Sequence, residues 1–267
     1  MHAATFVLST GRCGTQWLAQ ALAGADARVE HEPLHNGYAP RQMLGANDPA
    51  ALDPRRARLI VAHADAIERE LAVRDYIETG HPCWSSIPWL ARRLAGRVRV
   101  IHLVRHPVPT ACSWVSHGAF VPPLLPTLPA KEFISPFDAG VAFPEYRATW
   151  DSLAPFEKCL VYWGEVNALA LRLERAGGMP WLRLRYEDMF DAHSDALARL
   201  GRFLDRPIEA VARMDRRAQV DRHRFMLAQG PELERIARHP RVAAVAEALG
   251  YRVEDFSREE LTARFLR

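Results

Sequence analysis

The chain has 267 residues, of which 49% are hydrophobic and 25% charged, with a formal net charge of +3. It is long enough to bury a full core, and we expect a single domain over residues 1–267. It has no run near the roughly 18 apolar residues that cross a bilayer and no basic stripe with interleaved aromatic residues, so neither a membrane span nor nucleic-acid binding is expected.

Strands and helices alternate along the chain, which predicts an α/β fold with a parallel sheet of about five strands and helices on both faces. The expected strands are Thr5–Leu8, Arg28–His31, Asp75–Thr79, Arg99–Val104 and Trp181–Arg185. The expected helices are Gly14–Ala23, Pro54–Leu71, Ser86–Leu94, Pro109–His117, Tyr146–Ala176, Ser194–Leu204, Ile208–Asp215 and Val242–Leu249, and a capping box at Ser257–Glu260 begins a last short one.

A loop of small residues joins the first strand directly to the first helix. This arrangement points backbone N–H groups and the positive end of a helix dipole at one spot, which is typical of a phosphate site. The loop lacks the Gly-Lys-Ser/Thr of nucleoside triphosphatases, and Arg12 supplies the fixed cation instead. An ordinary turn with strain-relieving glycines is the alternative. The candidate binding residues are Gly11, Arg12, Cys13, Gly14, Thr15 and Gln16.

The second strand is followed by a group of carboxylate and imidazole side chains. Glu32, His31 and His35 are each chemically able to act as a general base. Because Pro33 follows Glu32, we expect an extended backbone at Glu32. A simple ion pair of Glu32 with an arginine is the alternative. A metal site is not expected, because the irregular spacing does not supply a preorganised geometry.

The fourth strand ends at Arg105, and a helix opening with proline follows it. Ligands of open α/β sheets bind at the carboxyl ends of the strands. Arg105 is therefore expected to bind a second phosphate through a bidentate contact, and Ser113, eight residues later, through its hydroxyl group.

A proline-rich stretch over residues 120–144 follows the helix that carries Ser113. It has prolines at positions 122, 123, 126, 129, 136 and 144 and little periodicity. Long structureless loops in compact domains are usually functional lids or disordered segments. We therefore predict that this loop reaches the mouth of the site and gates it.

Together these segments resemble the sulfotransferases that use 3′-phosphoadenosine 5′-phosphosulfate (PAPS), with a pattern closest to bacterial and carbohydrate-type members. In that family a loop such as residues 11–17 holds the 5′-phosphosulfate, and a strand ending in Arg-Asp/Asn-Pro, with a serine eight residues after the arginine, binds the 3′-phosphate. Further matches follow in the family's order, at residues 32–34, 184–188, 203–204 and 249–251. The chain departs from the pattern at Cys13 (usually Ser), His106 (usually an acid or amide) and Pro109 (commonly Asp or Ala).

The resemblance implies a P-loop nucleoside-triphosphatase-like sulfotransferase fold and a function in sulfuryl transfer. PAPS would donate the group to a hydroxyl or amine, leaving 3′,5′-bisphosphoadenosine, and no metal would be required. Arg12 would stabilise charge on the bridging oxygen. By their match to family positions, Glu32 is the first candidate base, and His81 occupies a place for a catalytic or acceptor-contacting group; a structural His81 is the alternative. The acceptor (a small molecule, lipid headgroup or glycan) and the oligomeric state stay open.

Two other functions remain as alternatives: a kinase with an atypical phosphate loop, and a non-catalytic nucleotide-binding protein of the same fold.

The four cysteines show no paired short spacing, which disfavours a zinc cluster or disulfide scaffold; they are Cys13, Cys83, Cys112 and Cys159. The first strand begins close to Met1, leaving no room for a signal peptide, so a cytoplasmic location is expected. Cys13, at a helix start beside Arg12, has surroundings that favour a thiolate; a small residue in place of serine is the simpler interpretation.

Overall fold

The computed structural model describes residues 1–24, 26–121, 133–208, 235 and 238–265. Its strands are β1 (Ala4–Leu8), β2 (Ala27–His31), β3 (Asp75–Thr79), β4 (Val98–Val104) and β5 (Trp181–Arg185). They form one sheet in the order β2-β3-β1-β4-β5, and every neighbouring pair is parallel. The predicted α/β fold with a five-stranded parallel sheet is confirmed.

The helices of the described residues cover both faces of this sheet. They are α1 (Thr15–Leu22), α2 (Pro40–Ala46), α3 (Pro54–Glu70), α4 (Ile87–Arg93), α5 (Pro107–Ser116), α6 (Pro155–Ala176), α7 (Ala196–Leu204), α8 (Pro240–Ala248) and α9 (Arg258–Phe265). Alternate residues of β1 point to opposite faces, because side chains alternate along a strand. Phe6 therefore joins a core with α3 to α6, and Val7 joins a second core with α1 and α7.

One helix prediction needs correction, and one helix of the structure was not predicted. The helix expected over Tyr146–Ala176 begins only at Pro155, after two 3₁₀ turns at 144–148 and 150–152. Proline in a first turn fits the helix but interrupts regular structure before it. Helix α2 was not expected, because it buries only Pro40 and Met43 and so shows no apolar period. The helix expected over Ile208–Asp215 lies, beyond Ile208, outside the described residues.

The sheet order decides where a ligand can meet several loops. Because β1 lies between β3 and β4, the loops that follow these three strands leave the same edge of the sheet. This edge, formed by the carboxyl ends of the strands, is where open α/β sheets bind their ligands. Arg12, His81 and Arg105 all lie just beyond it.

A buried histidine on β4 should make the fold sensitive to acid. Burial lowers the pKa of His102 from its ordinary 6.5 to about 4, although its Nε2 hydrogen-bonds Asn167 Oδ1 at 2.8 Å. The folded protein therefore holds this proton more weakly than the unfolded chain, so stability is lost as the pH falls from 6.5 towards 4. The shift corresponds to about 3 kcal/mol in the free energy of unfolding.

Urea unfolding at pH 7 and pH 4 measures this loss directly. We expect His102→Gln to lose less stability than the wild type between these values, whereas His193→Gln, at an exposed histidine, should match the wild type. Some acid sensitivity should remain in His102→Gln, since burial also lowers the pKa of His106 and of His239. An unchanged loss in His102→Gln would contradict the assignment.

Candidate active site

The loop between β1 and α1 is wrapped tightly by its neighbours. Gly11 and Gly14 have left-handed backbones, with φ values of 73° and 80°. A Cβ atom added to Gly11 would lie 2.7 Å from Trp114 Cζ2 and 3.0 Å from His81 Cγ, and one on Gly14 would lie 2.9 Å from Tyr186 Cε2. Glycine is therefore required at both positions for conformation and for space.

Hydrogen bonds fix the course of this loop and leave the start of α1 suited to an anion. The Gly11 N–H donates to Ser9 Oγ at 3.1 Å, and Trp114 Nε1 donates to the Thr10 carbonyl at 3.1 Å. Helix α1 begins at Thr15, and its first turn contains no acidic residue. Its N-cap, Gly14, has no side chain that could occupy the N–H groups. The positive end of the helix dipole therefore favours an external anion here.

The Cys13 side chain is buried, and its Sγ donates to the Gly11 carbonyl at 3.1 Å. Burial raises the pKa of Cys13 to about 11, outweighing the nearby positive charge of Arg105. The prediction of conditions that favour a thiolate was wrong, because the sequence does not reveal that the thiol faces the core. Cys13 serves as a small neutral residue that braces the loop.

Arg12 and Ser113, which the sequence assigned to two different anionic groups, are hydrogen-bonded to each other in the structure, and Arg105 contacts the backbone of Arg12. Arg12 Nε donates to Ser113 Oγ at 2.9 Å, and Arg105 Nη1 donates to the Arg12 carbonyl at 3.0 Å. The Arg105 guanidinium carbon also lies 4.6 Å from the centre of the Tyr186 ring. Two arginines from neighbouring strand ends thus meet, one of them bonded to Ser113, and each also lies over an aromatic ring.

Arg105 is buried, and no carboxylate of the described residues balances its charge. The residue is only 5% exposed, and in the part of the chain that is described no Asp or Glu forms an ion pair with it. Its guanidinium contacts the Arg12 carbonyl and the Tyr186 ring. A buried charge is costly unless an opposite charge or strong hydrogen bonds compensate it. This guanidinium is therefore suited to an anionic ligand.

His106 supplies a side-chain acceptor at the start of α5. Its Nδ1 accepts a hydrogen bond from the Val108 N–H at 3.2 Å and caps α5. Its Nε2 contacts the Arg252 carbonyl at 2.9 Å, so Nε2 carries the proton. Burial lowers the pKa of His106, which keeps the ring neutral. The departure from the pattern thus retains the helix cap without adding a charge.

Glu32 and His81 form a carboxylate–imidazole pair beside the loop. His81 Nδ1 lies 3.1 Å from Glu32 Oε1, and the two side chains are 9% and 16% exposed. An ionised carboxylate can only accept, so Nδ1 is the donor and the lone pair of the neutral ring is on Nε2. His35 Nδ1 and His31 Nε2 lie farther away, at 3.6 and 4.0 Å from the carboxylate.

The backbone of Glu32 is not extended as expected, because its φ is 48°. The Glu32 N–H donates to the Thr79 carbonyl at 2.9 Å, and the Glu32 carbonyl accepts from the His35 N–H at 3.1 Å. These bonds turn the chain sharply as it leaves β2. A Cβ atom on Gly80 would lie only 2.4 Å from Glu32 Cγ, so this turn also depends on a glycine after β3.

The segment Arg185–Asp188 makes structural contacts. Glu187 Oε1 accepts from the His106 N–H at 3.0 Å, and Glu187 Oε2 accepts from the Tyr251 hydroxyl at 2.6 Å. Sequence reasoning missed Tyr186 and Trp114, the rings beside Arg105 and Arg12. The position of Trp114 directly after Ser113 was a usable signal, whereas nothing near Tyr186 in the sequence points to Arg105.

The proline-rich loop can be followed only at its two ends, because residues 122–132 lie outside the described part of the chain. At the second of these ends, the Phe133 ring packs against Trp114, with ring centres 4.9 Å apart. The part of the loop at Phe133 therefore lies next to the candidate site. Its role as a gate stays a prediction.

Across the described residues, no three or more His, Cys, Asp and Glu side chains are grouped to hold a metal ion. The same ranges include no helix with the length and apolar character needed to cross a membrane.

Comparison with known proteins gives a likeness to solved structures. No protein-family model matches the chain, and no curated protein matches it. The sulfotransferase domain from the curacin biosynthetic pathway matches with 17% identity and a TM-score of 0.47, over 79% of this chain and 76% of that one. The sulfotransferase domain of the Synechococcus PCC 7002 olefin synthase matches with 19% identity and a TM-score of 0.47, over 99% and 93%. At such values the likeness carries nothing about donor, acceptor or site residues.

Proposed function

We propose that this protein is a sulfotransferase that moves the sulfuryl group of PAPS to a hydroxyl or amine of an acceptor, leaving 3′,5′-bisphosphoadenosine. The observation that carries the proposal is the buried Arg105 guanidinium, which has no carboxylate partner in the described residues and bonds the carbonyl of Arg12, whose own side chain bonds Ser113. Two cations at neighbouring strand ends suit a donor that carries two separate anionic groups.

The two ends of the donor would contact different parts of the site. The backbone of residues 11–16, the start of α1 and Arg12 would bind the 5′-phosphosulfate. Arg105 and Ser113 would bind the 3′-phosphate, and the Tyr186 ring beneath Arg105 would keep the guanidinium in place. As the sulfuryl group leaves, charge grows on the bridging oxygen, where Arg12 and the loop N–H groups can stabilise it.

His81 is the better placed of the two candidate bases. Its ring packs on Gly11, and its Nδ1–H is held by Glu32, so Nε2 is the atom that would accept the acceptor's proton. Glu32 would fix the tautomer and stabilise the imidazolium that forms, as the carboxylate does in other carboxylate–histidine pairs. A base also works best with a pKa near the operating pH, which the ordinary pKa of imidazole satisfies better than that of a carboxylate.

Nucleotide binding tests the donor assignment. We expect Arg105→Ala to weaken 3′,5′-bisphosphoadenosine binding by about 2–5 kcal/mol, the usual cost of removing one partner of a buried charged contact. Binding of adenosine 5′-monophosphate should hardly change, because it lacks the 3′-phosphate. Calorimetry with both nucleotides measures the difference. Arg175→Ala is the control, since this exposed arginine lies in the last turn of α6, which leads to the amino end of β5.

The activity itself is tested by transfer of labelled sulfate from PAPS to a panel of alcohols, phenols, amines and glycans. Labelled product with one acceptor class is the expected result. Equal losses of both nucleotides in Arg105→Ala would contradict the 3′-phosphate assignment. Tight binding of ATP with Mg²⁺, together with phosphate transfer from it, would favour the kinase alternative. Donor binding without transfer to any acceptor would favour a binding protein.

A further inference from the structure

The chain between β2 and α2 has an unusual backbone. Glu32, His35 and Ala39 all have left-handed φ values, of 48°, 45° and 47°. This conformation is unfavourable for any residue other than glycine. Strained residues of this kind persist only where surrounding contacts over-determine them. Since this segment (residues 32–39) carries Glu32, the contacts that hold it bear directly on the Glu32–His81 pair.

Tyr38 makes a buried polar contact from this segment. Its side chain is fully buried, whereas the His35 side chain at the other side of the same turn is 76% exposed. The Tyr38 hydroxyl donates to Glu78, at 2.7 Å from Oε1 and 2.8 Å from Oε2. Burial and the Glu78 charge raise the pKa of Tyr38 well above its ordinary value, so the hydroxyl remains a donor.

Glu78 is a buried carboxylate held by hydrogen-bond donors from three elements. It lies on β3, is 1% exposed, and in the described residues has no Lys or Arg in contact. Besides Tyr38, His63 Nε2 on α3 lies 3.0 Å from Oε2 and the Tyr76 hydroxyl lies 3.1 Å from Oε2. The Tyr76 hydroxyl also lies 2.9 Å from Glu30 Oε2. Such a carboxylate is a fixed anchor, because its donors leave it little freedom to move.

The end of β3 thus holds the segment through two side-chain contacts, in addition to the backbone bond from the Glu32 N–H to the Thr79 carbonyl. Glu78 bonds Tyr38, and His81, three residues later, bonds Glu32. We propose that Tyr38 and Glu78 are positioning residues: their contact fixes the strained segment so that the Glu32 carboxylate stays on His81 Nδ1. The catalytic consequence rests on the proposed function, but the effect on the state of His81 does not.

Tyr38→Phe tests this with a matched control. The variant removes one hydroxyl from Glu78 and frees the segment, while Tyr76→Phe removes another hydroxyl from the same carboxylate. Tyr76 lies within β3, whose backbone is paired to β1 and β2, so its loss should not free the segment. The readout is nitrogen-15 NMR of the imidazole rings in the full chain, with the His81 signals assigned from His81→Gln. Circular dichroism checks that each variant folds.

We expect wild type and Tyr76→Phe to show His81 protonated at Nδ1, and Tyr38→Phe to show a mixture of tautomers. If the protein transfers sulfate, turnover should fall about 10–100-fold in Tyr38→Phe, as when a catalytic group is slightly misplaced, with the KM for PAPS unchanged. In Tyr76→Phe both should stay close to the wild type.

An unchanged His81 tautomer in Tyr38→Phe would overturn the proposal, and so would equal changes in both variants, since Glu78 rather than the segment would then be responsible. Should Tyr38→Phe fail to fold, Glu78→Met removes the acceptor and is expected to alter His81 in the same way; retention of the Nδ1–H tautomer there would also overturn it. A changed tautomer in a protein without any sulfate transfer would leave the positioning role intact and refute the proposed function.

Discussion

His81→Ala is expected to lower turnover by about 10²–10⁴-fold, the range of effects for losing a general base. The ring lies against Gly11 and presents Nε2 as the basic atom, because Nδ1 is bonded to Glu32. Affinity for the desulfated nucleotide should be almost unchanged, since His81 is proposed to act on the acceptor. Turnover with saturating PAPS, together with calorimetry, separates the two quantities.

Glu32→Gln distinguishes the two members of the pair. A glutamine amide can donate to Nδ1 and so reverse the tautomer, and we expect turnover to fall here as well. His35→Ala is the control, because this exposed ring lies 3.6 Å from the same carboxylate without bonding it. If His81→Ala keeps its turnover while Glu32→Gln loses it, the base is Glu32 and His81 is structural.

The second large effect is expected at Arg12. Its alanine variant should lose about 10²–10³-fold in turnover, comparable to removing one donor from an oxyanion hole. The reason is that Arg12 lies in the loop where negative charge would develop as the nucleotide leaves. Steady-state kinetics should show this loss in kcat, with a smaller loss of donor affinity.

Ser113→Ala is a useful companion, because Ser113 Oγ accepts from Arg12 Nε at 2.9 Å. We expect it to weaken binding of the bisphosphate nucleotide more than it lowers turnover. Normal kcat with only a raised KM in Arg12→Ala would mean that Arg12 binds ground state and transition state equally, contrary to the assigned role.

The sequence predicts the central strands β1 and β4 well because both are nearly continuous buried runs. The five expected strands start and end within one residue of those observed. The sequence also indicates that Arg12 and Arg105 belong to the site, since each follows a strand and the ends of parallel strands share an edge. These features depend on local patterns, which a single sequence displays.

Features that depend on distant contacts could not be read in the same way. Glu32 and His81 are 49 residues apart in sequence. Each could be named as a candidate base, but the sequence does not show that their side chains form a pair. The left-handed backbone of Glu32 comes from its bonds to Thr79 and His35, which overcame the preference imposed by Pro33. The raised pKa of Cys13 likewise comes from burial in the core, which the adjacent arginine in the sequence does not reveal.

The cap on α5 has a practical meaning for how such motifs are described. A search written as arginine, then aspartate or asparagine, then proline would reject this chain, although the neutral His106 ring performs the same local task through Nδ1. The physical requirement for such a cap is a side-chain acceptor ahead of a proline-led helix, which histidine meets here and which aspartate and asparagine meet at helix starts in general. A pattern defined by that requirement would recover sequences that residue identity alone discards.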